Sequence, residues 1–112
     1  MRRVRAAVAA TALATTVAIP VVAASEPTPA RVEELVRMVR QDCGSCHGMS
    51  LTGGLGPALT PQAVADKPAE SLVATILYGR RGTPMPPWRA FVSDDDAGWI
   101  VEQLRRGFPD VR

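Results

Sequence analysis

Apolar residues recur at helical spacing in three stretches of the chain, and nowhere do they alternate long enough to predict a strand. Over residues 30–42, Val32, Leu35, Val36 and Val39 fall on one helix face, with Glu33, Arg37 and Arg40 opposite. Thr28 is placed to cap this helix and Pro29 to occupy its first position, where a missing N–H is harmless. Over residues 67–78 the pattern returns in Ala69, Leu72, Val73 and Ile76, with Pro68 near the start and Gly79 just past the end. The third helix is predicted over 94–106, with Ile100, Val101 and Leu104 on its inner face. Ser93 is its N-cap, Asp94, Asp95 and Asp96 sit where the helix dipole favours anions, and Arg105 and Arg106 sit where it favours cations. Capping and the dipole account for the three aspartates, so they are not read as a metal site. Thr60 predicts a short capped turn over 61–65. Two long loops remain, 44–61 and 79–91, and loops of that length in a small domain tend to carry function or to be disordered.

Residues 1–24 have the layout of a secretory signal peptide. Arg2, Arg3 and Arg5 form the charged start, residues 6–19 the apolar stretch, and Val22-Ala23-Ala24 the small residues before Ser25. The apolar stretch is shorter than the ~20 residues that span a bilayer. The expectation is export to the periplasm with cleavage near Ala24. That leaves one domain over 25–112 with no stable membrane insertion. The whole chain has 13 Lys and Arg against 11 Asp and Glu, but three of the basic residues lie in the leader. No basic tract is left beyond it, so a nucleic-acid partner is not expected. A total of 112 residues excludes a large α/β enzyme or barrel, and two cysteines exclude a multi-disulfide scaffold. A domain this small, with only 4% aromatic residues, would gain from a bound prosthetic group.

Cys43-Gly44-Ser45-Cys46-His47 is C-x-x-C-H, the sequence of covalent c-type haem attachment. Two thiols one helical turn apart can add to the two vinyl groups along one porphyrin edge. The next residue, His47, then supplies a nitrogen to the iron. A thioredoxin-like dithiol would need a βαβ context and leaves His47 unexplained. Zinc would need a fourth Cys or His ligand. A disulfide within C-x-x-C closes too small a loop to stabilise much. The chain has one histidine, so a second axial histidine within it is excluded. Among the methionines, Met38 flanks an apolar helix face. Met49 lies two residues past His47, too near to reach the opposite haem face, and is expected at the haem edge. Met85 lies 38 residues past His47 in Gly82-Thr83-Pro84-Met85-Pro86-Pro87-Trp88, far enough to wrap a haem and stiffened by prolines. One haem c with His47 and Met85 as iron ligands is therefore expected.

These residues, with Gly56-Pro57-Ala58-Leu59 and a last helix bearing Trp99, resemble a small class I cytochrome c over 30–107. The resemblance implies an all-α fold in which the N- and C-terminal helices cross and long loops surround the haem. It further implies that the Pro57 carbonyl accepts a hydrogen bond from His47 Nδ1, and that Trp99 sits near the helix crossing, although on the helical wheel it lies off the Ile100–Leu104 centre. The run from Cys43 to Pro61, Lys67-Pro68-Ala69-Glu70 and the Met85 loop are similar to the NirC-type cytochromes of denitrifying bacteria. That similarity implies a single-electron carrier, not an enzyme, that donates electrons to the haem-c/haem-d nitrite reductase. Its alternatives are a redox maturation factor donating electrons in d-type haem biosynthesis, working with its maturation proteins, or a generic respiratory cytochrome c. Gas binding would need an open sixth site, which Met85 argues against. A monomer is expected. Met49, Leu51, Leu55, Pro86, Pro87 and Trp88 form either an apolar redox-docking patch or the packing around the haem. Arg80, Arg81 and Arg89 either neutralise haem propionates or are solvated loop charges.

Overall fold

The computed structural model describes residues 14–20 and 25–110. The expected leader and its cleavage point near Ala24 lie largely outside the described residues. Those of the leader that are described, 14–20, are exposed and in neither helix nor strand. No described helix is long and apolar enough to cross a membrane.

The described residues are all-α and contain no strand. Helix α1 runs over Pro29–Met38, with Thr28 Oγ1 accepting from Arg31 N. It passes without a break into a π-helical turn, Val39–Cys43, and then into α2, Gly44–His47. The expected end near residue 42 is therefore overrun by one turn. The reason is Gly44, which takes φ −59° and ψ −27° and continues the helical path instead of breaking it. Helix α3 is Pro61–Val64, capped by Thr60. Helix α4 is Ala69–Tyr78, two residues shorter at its start than the apolar pattern suggests. Pro68 disfavours the helical conformation at Lys67 and itself serves as the N-cap, with ψ 135°. Helix α5 is Asp94–Arg106. Ser93 and Asp96 form a reciprocal capping box there, each side chain accepting from the other's backbone N–H.

One core joins these pieces. Leu35 and Val39 meet Ala97, Ile100 and Leu104 of α5, with Leu51, Val64, Leu77 and Val92 filling the space between. Two arginines then tie the helical rod to the far end of the chain. Arg31 pairs with Asp96 at 2.8 Å and also donates to the Phe91 carbonyl at 2.6 Å. Arg40, on the π-helical turn, donates to the carbonyls of Phe108 and Pro109 and pairs with Asp110 at 3.0 Å. Trp99 is half-buried at the rim of the core, edge-on to Phe108 with centroids 6.2 Å apart. The enclosed positions of α5 are Ala97, Ile100, Val101 and Leu104.

Two side chains depart from the apolar-patch alternative, and one of them, Trp88, is half-buried against the core. Leu51 is 3% exposed and belongs to the core, whereas Met49 and Leu55 are 66% and 91% exposed. Leu51 sits at φ 59°, unusual for a side chain larger than Asn, and its burial holds it there.

Candidate functional site

The haem-attachment motif is the end of the rod that begins at Pro29. Cys43 closes the π-helical turn and Cys46 lies one turn on, so the two thiols share one side of the helix. Both cysteines are free and half-buried. Burial pushes the Cys43 thiol up to about 11, and the charge of Asp42 adds to the effect. Ser45 Oγ donates to the Asp42 carbonyl at 2.7 Å and steadies the turn between them.

A helix ending at His47 leaves its last carbonyls without partners in the helix. The following loop folds back to supply them. Gly56 N–H donates to the Cys46 carbonyl and Gly53 N–H to the His47 carbonyl, each at 2.8 Å. Leu59 N–H donates to the Leu51 carbonyl, which closes the loop over the core. The loop approaches so closely that it must be built of glycine. A Cβ on Gly54 would stand 2.8 Å from the Cys46 oxygen, and one on Gly56 would stand 2.8 Å from both Nδ1 and Cε1 of His47. The imidazole thus rests against bare backbone.

His47 Nδ1 lies 2.7 Å from the Pro57 carbonyl oxygen. A carbonyl only accepts, so Nδ1 donates to it and Nε2 is the nitrogen left for a metal. An acceptor of this kind fixes the tautomer and strengthens a histidine as a ligand. The donor set fits a covalent haem: two thiols one turn apart, then an imidazole whose Nδ1 is engaged and whose Nε2 is left to bind.

Met85 sits in a second loop, tied to the end of α4. Pro84, Pro86 and Pro87 have no N–H, so few donors remain, and those near Met85 are used. Met85 N–H donates to Thr83 Oγ1 at 3.3 Å, Trp88 N–H to the Ile76 carbonyl at 3.0 Å and Arg89 N–H to the Leu77 carbonyl at 3.1 Å. The last two satisfy carbonyls at the end of α4, and Arg80 N–H in turn donates to the Met85 carbonyl at 3.1 Å. Met85 is half-buried. Arg89 pairs with Asp94 at 2.9 Å and lies over the Tyr78 ring, while Arg80 and Arg81 are exposed.

Sequence reasoning missed Thr83, Gly54 and the contact role of Gly79. Thr83 carried a signal, a hydroxyl two residues before Met85 in a turn-forming stretch. Gly54 carried a weaker one, the density of glycines between residues 48 and 56, while Gly79 reads only as the stop of its helix.

Residues 30–103 match the family described as cytochrome c oxidase, cbb3-type, subunit III. The chain is 57% identical over 98 residues to cytochrome c55X of Pseudomonas aeruginosa, a match spanning 86% of this chain and 82% of that one. A solved structure, of c-type cytochrome NirC, superposes with a TM-score of 0.71 at 60% identity, covering 72% of this chain and 95% of that one. A more distant match is dihydro-heme d1 dehydrogenase of the same organism, 36% identical over 73 residues, which is 64% of this chain but only 15% of that protein.

Proposed function

The chain belongs to the c55X family of c-type cytochromes, electron carriers with one covalently bound haem c, and from that membership we propose how its own residues serve the haem. Cys43 and Cys46 would hold haem c through two thioether bonds, and His47 and Met85 would bind its iron. When bound, haem c supplies a reversible one-electron iron couple. The observation that carries this reading is the 2.7 Å contact of His47 Nδ1 with the Pro57 carbonyl, because it leaves Nε2 as the coordinating nitrogen. The backbone ties between the Met85 loop and α4 fix the chain that carries the thioether, which would limit rearrangement during electron transfer. With His47 and Met85 both bound to the iron, the haem would leave no position open for a substrate. The protein carries electrons and does not itself catalyse a reaction.

It works in the periplasm, after removal of residues 1–24, as an electron donor to the haem-c/haem-d nitrite reductase. Support comes from the leader and from the likeness of both ligand loops to NirC-type cytochromes. Acid–acetone extraction of the purified protein tests the attachment. The haem should stay with the chain, and colour in the organic phase would reject the thioether bonds. Cys43→Ala or Cys46→Ala should lower the yield of holoprotein strongly.

A second reading rests on the likeness to dihydro-heme d1 dehydrogenase. Dehydrogenation releases electrons, so a carrier serving d-type haem maturation at such a step would accept them. A deletion strain separates the two. Loss of a respiratory donor leaves a reductase complete but starved of electrons. Loss of a maturation partner leaves it lacking d-type haem.

A further inference from the structure

Gly79 and Gly82 both lie in the Met85 loop and both take a left-handed backbone, with φ 70° and 75°. Their surroundings differ. A Cβ added at Gly82 meets nothing within 4 Å. At Gly79 it would stand 2.6 Å from the Met85 carbonyl oxygen, 2.8 Å from the Pro86 carbonyl carbon and 2.9 Å from Pro87 N. All three are backbone atoms, so no side-chain rotation relieves the overlap. They cannot retreat freely either, because Arg80, Trp88 and Arg89 fasten the same segment to the end of α4 from both sides.

We infer that Gly79 is a positioning residue for Met85: its bare Cα is the surface against which the Met85–Pro86–Pro87 backbone rests, and it sets where the thioether stands. The inference rests on the reading of Met85 as axial ligand. A side chain at Gly79 would push the Met85 carbonyl outward and break the Arg80 N–H bond to it. Prolines on both sides would transmit that shift to the Met85 side chain instead of absorbing it. Gly82 also takes a positive φ but lacks the contact, so it separates the cost of positive φ from displacement of the ligand loop. The ψ of −171° at Gly79 is part of the conformation that lays its Cα against Met85 and Pro86.

The test compares the ferric holoproteins of wild type, Gly79→Ala, Gly82→Ala and Met85→Ala by far-red absorption and cyanide titration. Gly79→Ala should keep its covalent haem and helical far-UV signal, yet lose most of the weak far-red band of iron–thioether ligation. Its apparent cyanide affinity should rise on the order of tenfold, as a tenfold larger open fraction requires. Gly82→Ala should keep the band and the wild-type affinity. If Gly79→Ala keeps both while Met85→Ala loses the band, this inference is overturned and the axial reading stands. If Met85→Ala keeps the band, the axial reading fails and takes the inference with it. Equal loss in both glycine variants, or loss of covalent haem in Gly79→Ala, would show a general folding role and overturn it.

Discussion

Arg31 donates from both Nε and Nη2 to a single oxygen of Asp96, 65 positions later, at 3.3 and 2.8 Å. The same oxygen accepts the Ser93 N–H at 3.0 Å, so one atom serves the ion pair and the capping box of α5 together. Helix α1 is thereby held at its start to the start of the last helix. The hydrogen bonds from Arg31 hold the Asp96 carboxyl below its ordinary range, against the opposing effect of partial burial, and the Ser93 N–H bond helps.

A carboxyl whose pKa is depressed on folding adds stability that is fully present above its unfolded value, ~3.9, and is lost as pH falls through the lower folded value. Arg31 stays charged throughout that window, its own value being raised chiefly by the bond to Asp96. Asp96→Asn should therefore cost about 1–2 kcal/mol at pH 7, less than a deeply buried charged bond because both partners keep some solvent. The deficit should shrink as wild type and variant are taken below the carboxylate range. Urea unfolding of the holoprotein at pH 7 and at about pH 2.5 measures it. A deficit that stays constant between the two would mean that the charge of Asp96 contributes nothing.

The core makes a contrast between two apolar residues. Leu35, on α1, is fully enclosed in the core it shares with residues of α5, and Leu35→Ala should cost about 2–5 kcal/mol. Trp99 is half-buried at the rim against Phe108, so Trp99→Ala should cost less than the ~3–5 kcal/mol of an enclosed aromatic. Denaturant midpoints of the two ferric variants give the order. If Trp99→Ala proves the costlier, the helix crossing is held by Trp99 and not by Leu35.

What was legible in the chain was local. Helix α5 follows short-range rules alone: a capping box, acids first, arginines last and a glycine stop. The attachment motif is five consecutive residues, so its chemistry could be read before any fold. Helix α1 was harder, because Gly44 resembles a stop and nothing local marks a π-helical turn. Leu51 escaped as a core residue because it lies in a loop at positive φ, outside any periodic pattern. Pro57 entered through family resemblance only, since a carbonyl that acts as acceptor leaves no trace in residue identity. The ties of Trp88 to Ile76 and Arg89 to Leu77 pair residues twelve positions apart across a proline-rich loop, and no periodicity reports them.

Met85 and Met49 offer the clearest test of the axial assignment. Met49 is 66% exposed and lies too close to His47 in the chain to pass round a porphyrin. Met85→Ala should abolish the far-red band and open the ferric iron to cyanide and the ferrous iron to carbon monoxide. Met49→Ala should leave the spectrum and both ligand affinities as in wild type. The reverse pattern would move the axial role to Met49.

The proposed electron delivery to the nitrite reductase makes a kinetic prediction. The Met85 loop carries the exposed Arg80 and Arg81, whereas Arg89 is partly neutralised by Asp94. If these charges steer docking, the second-order rate of mixing reduced protein with oxidised reductase should fall as ionic strength rises from ~10 to ~150 mM, where the screening length contracts from ~30 to ~8 Å. Arg80→Ala with Arg81→Ala should slow the reaction at low salt and change it little at high salt, because rim charges act on encounter more than on the bound complex. Fast transfer that ignores salt would reject steering and favour contact through apolar surface, of which Leu55 and the Pro86–Pro87 edge are exposed examples. Absence of transfer, together with a complete d-type haem in a strain lacking the protein, would reject both denitrification roles and leave a carrier for other partners.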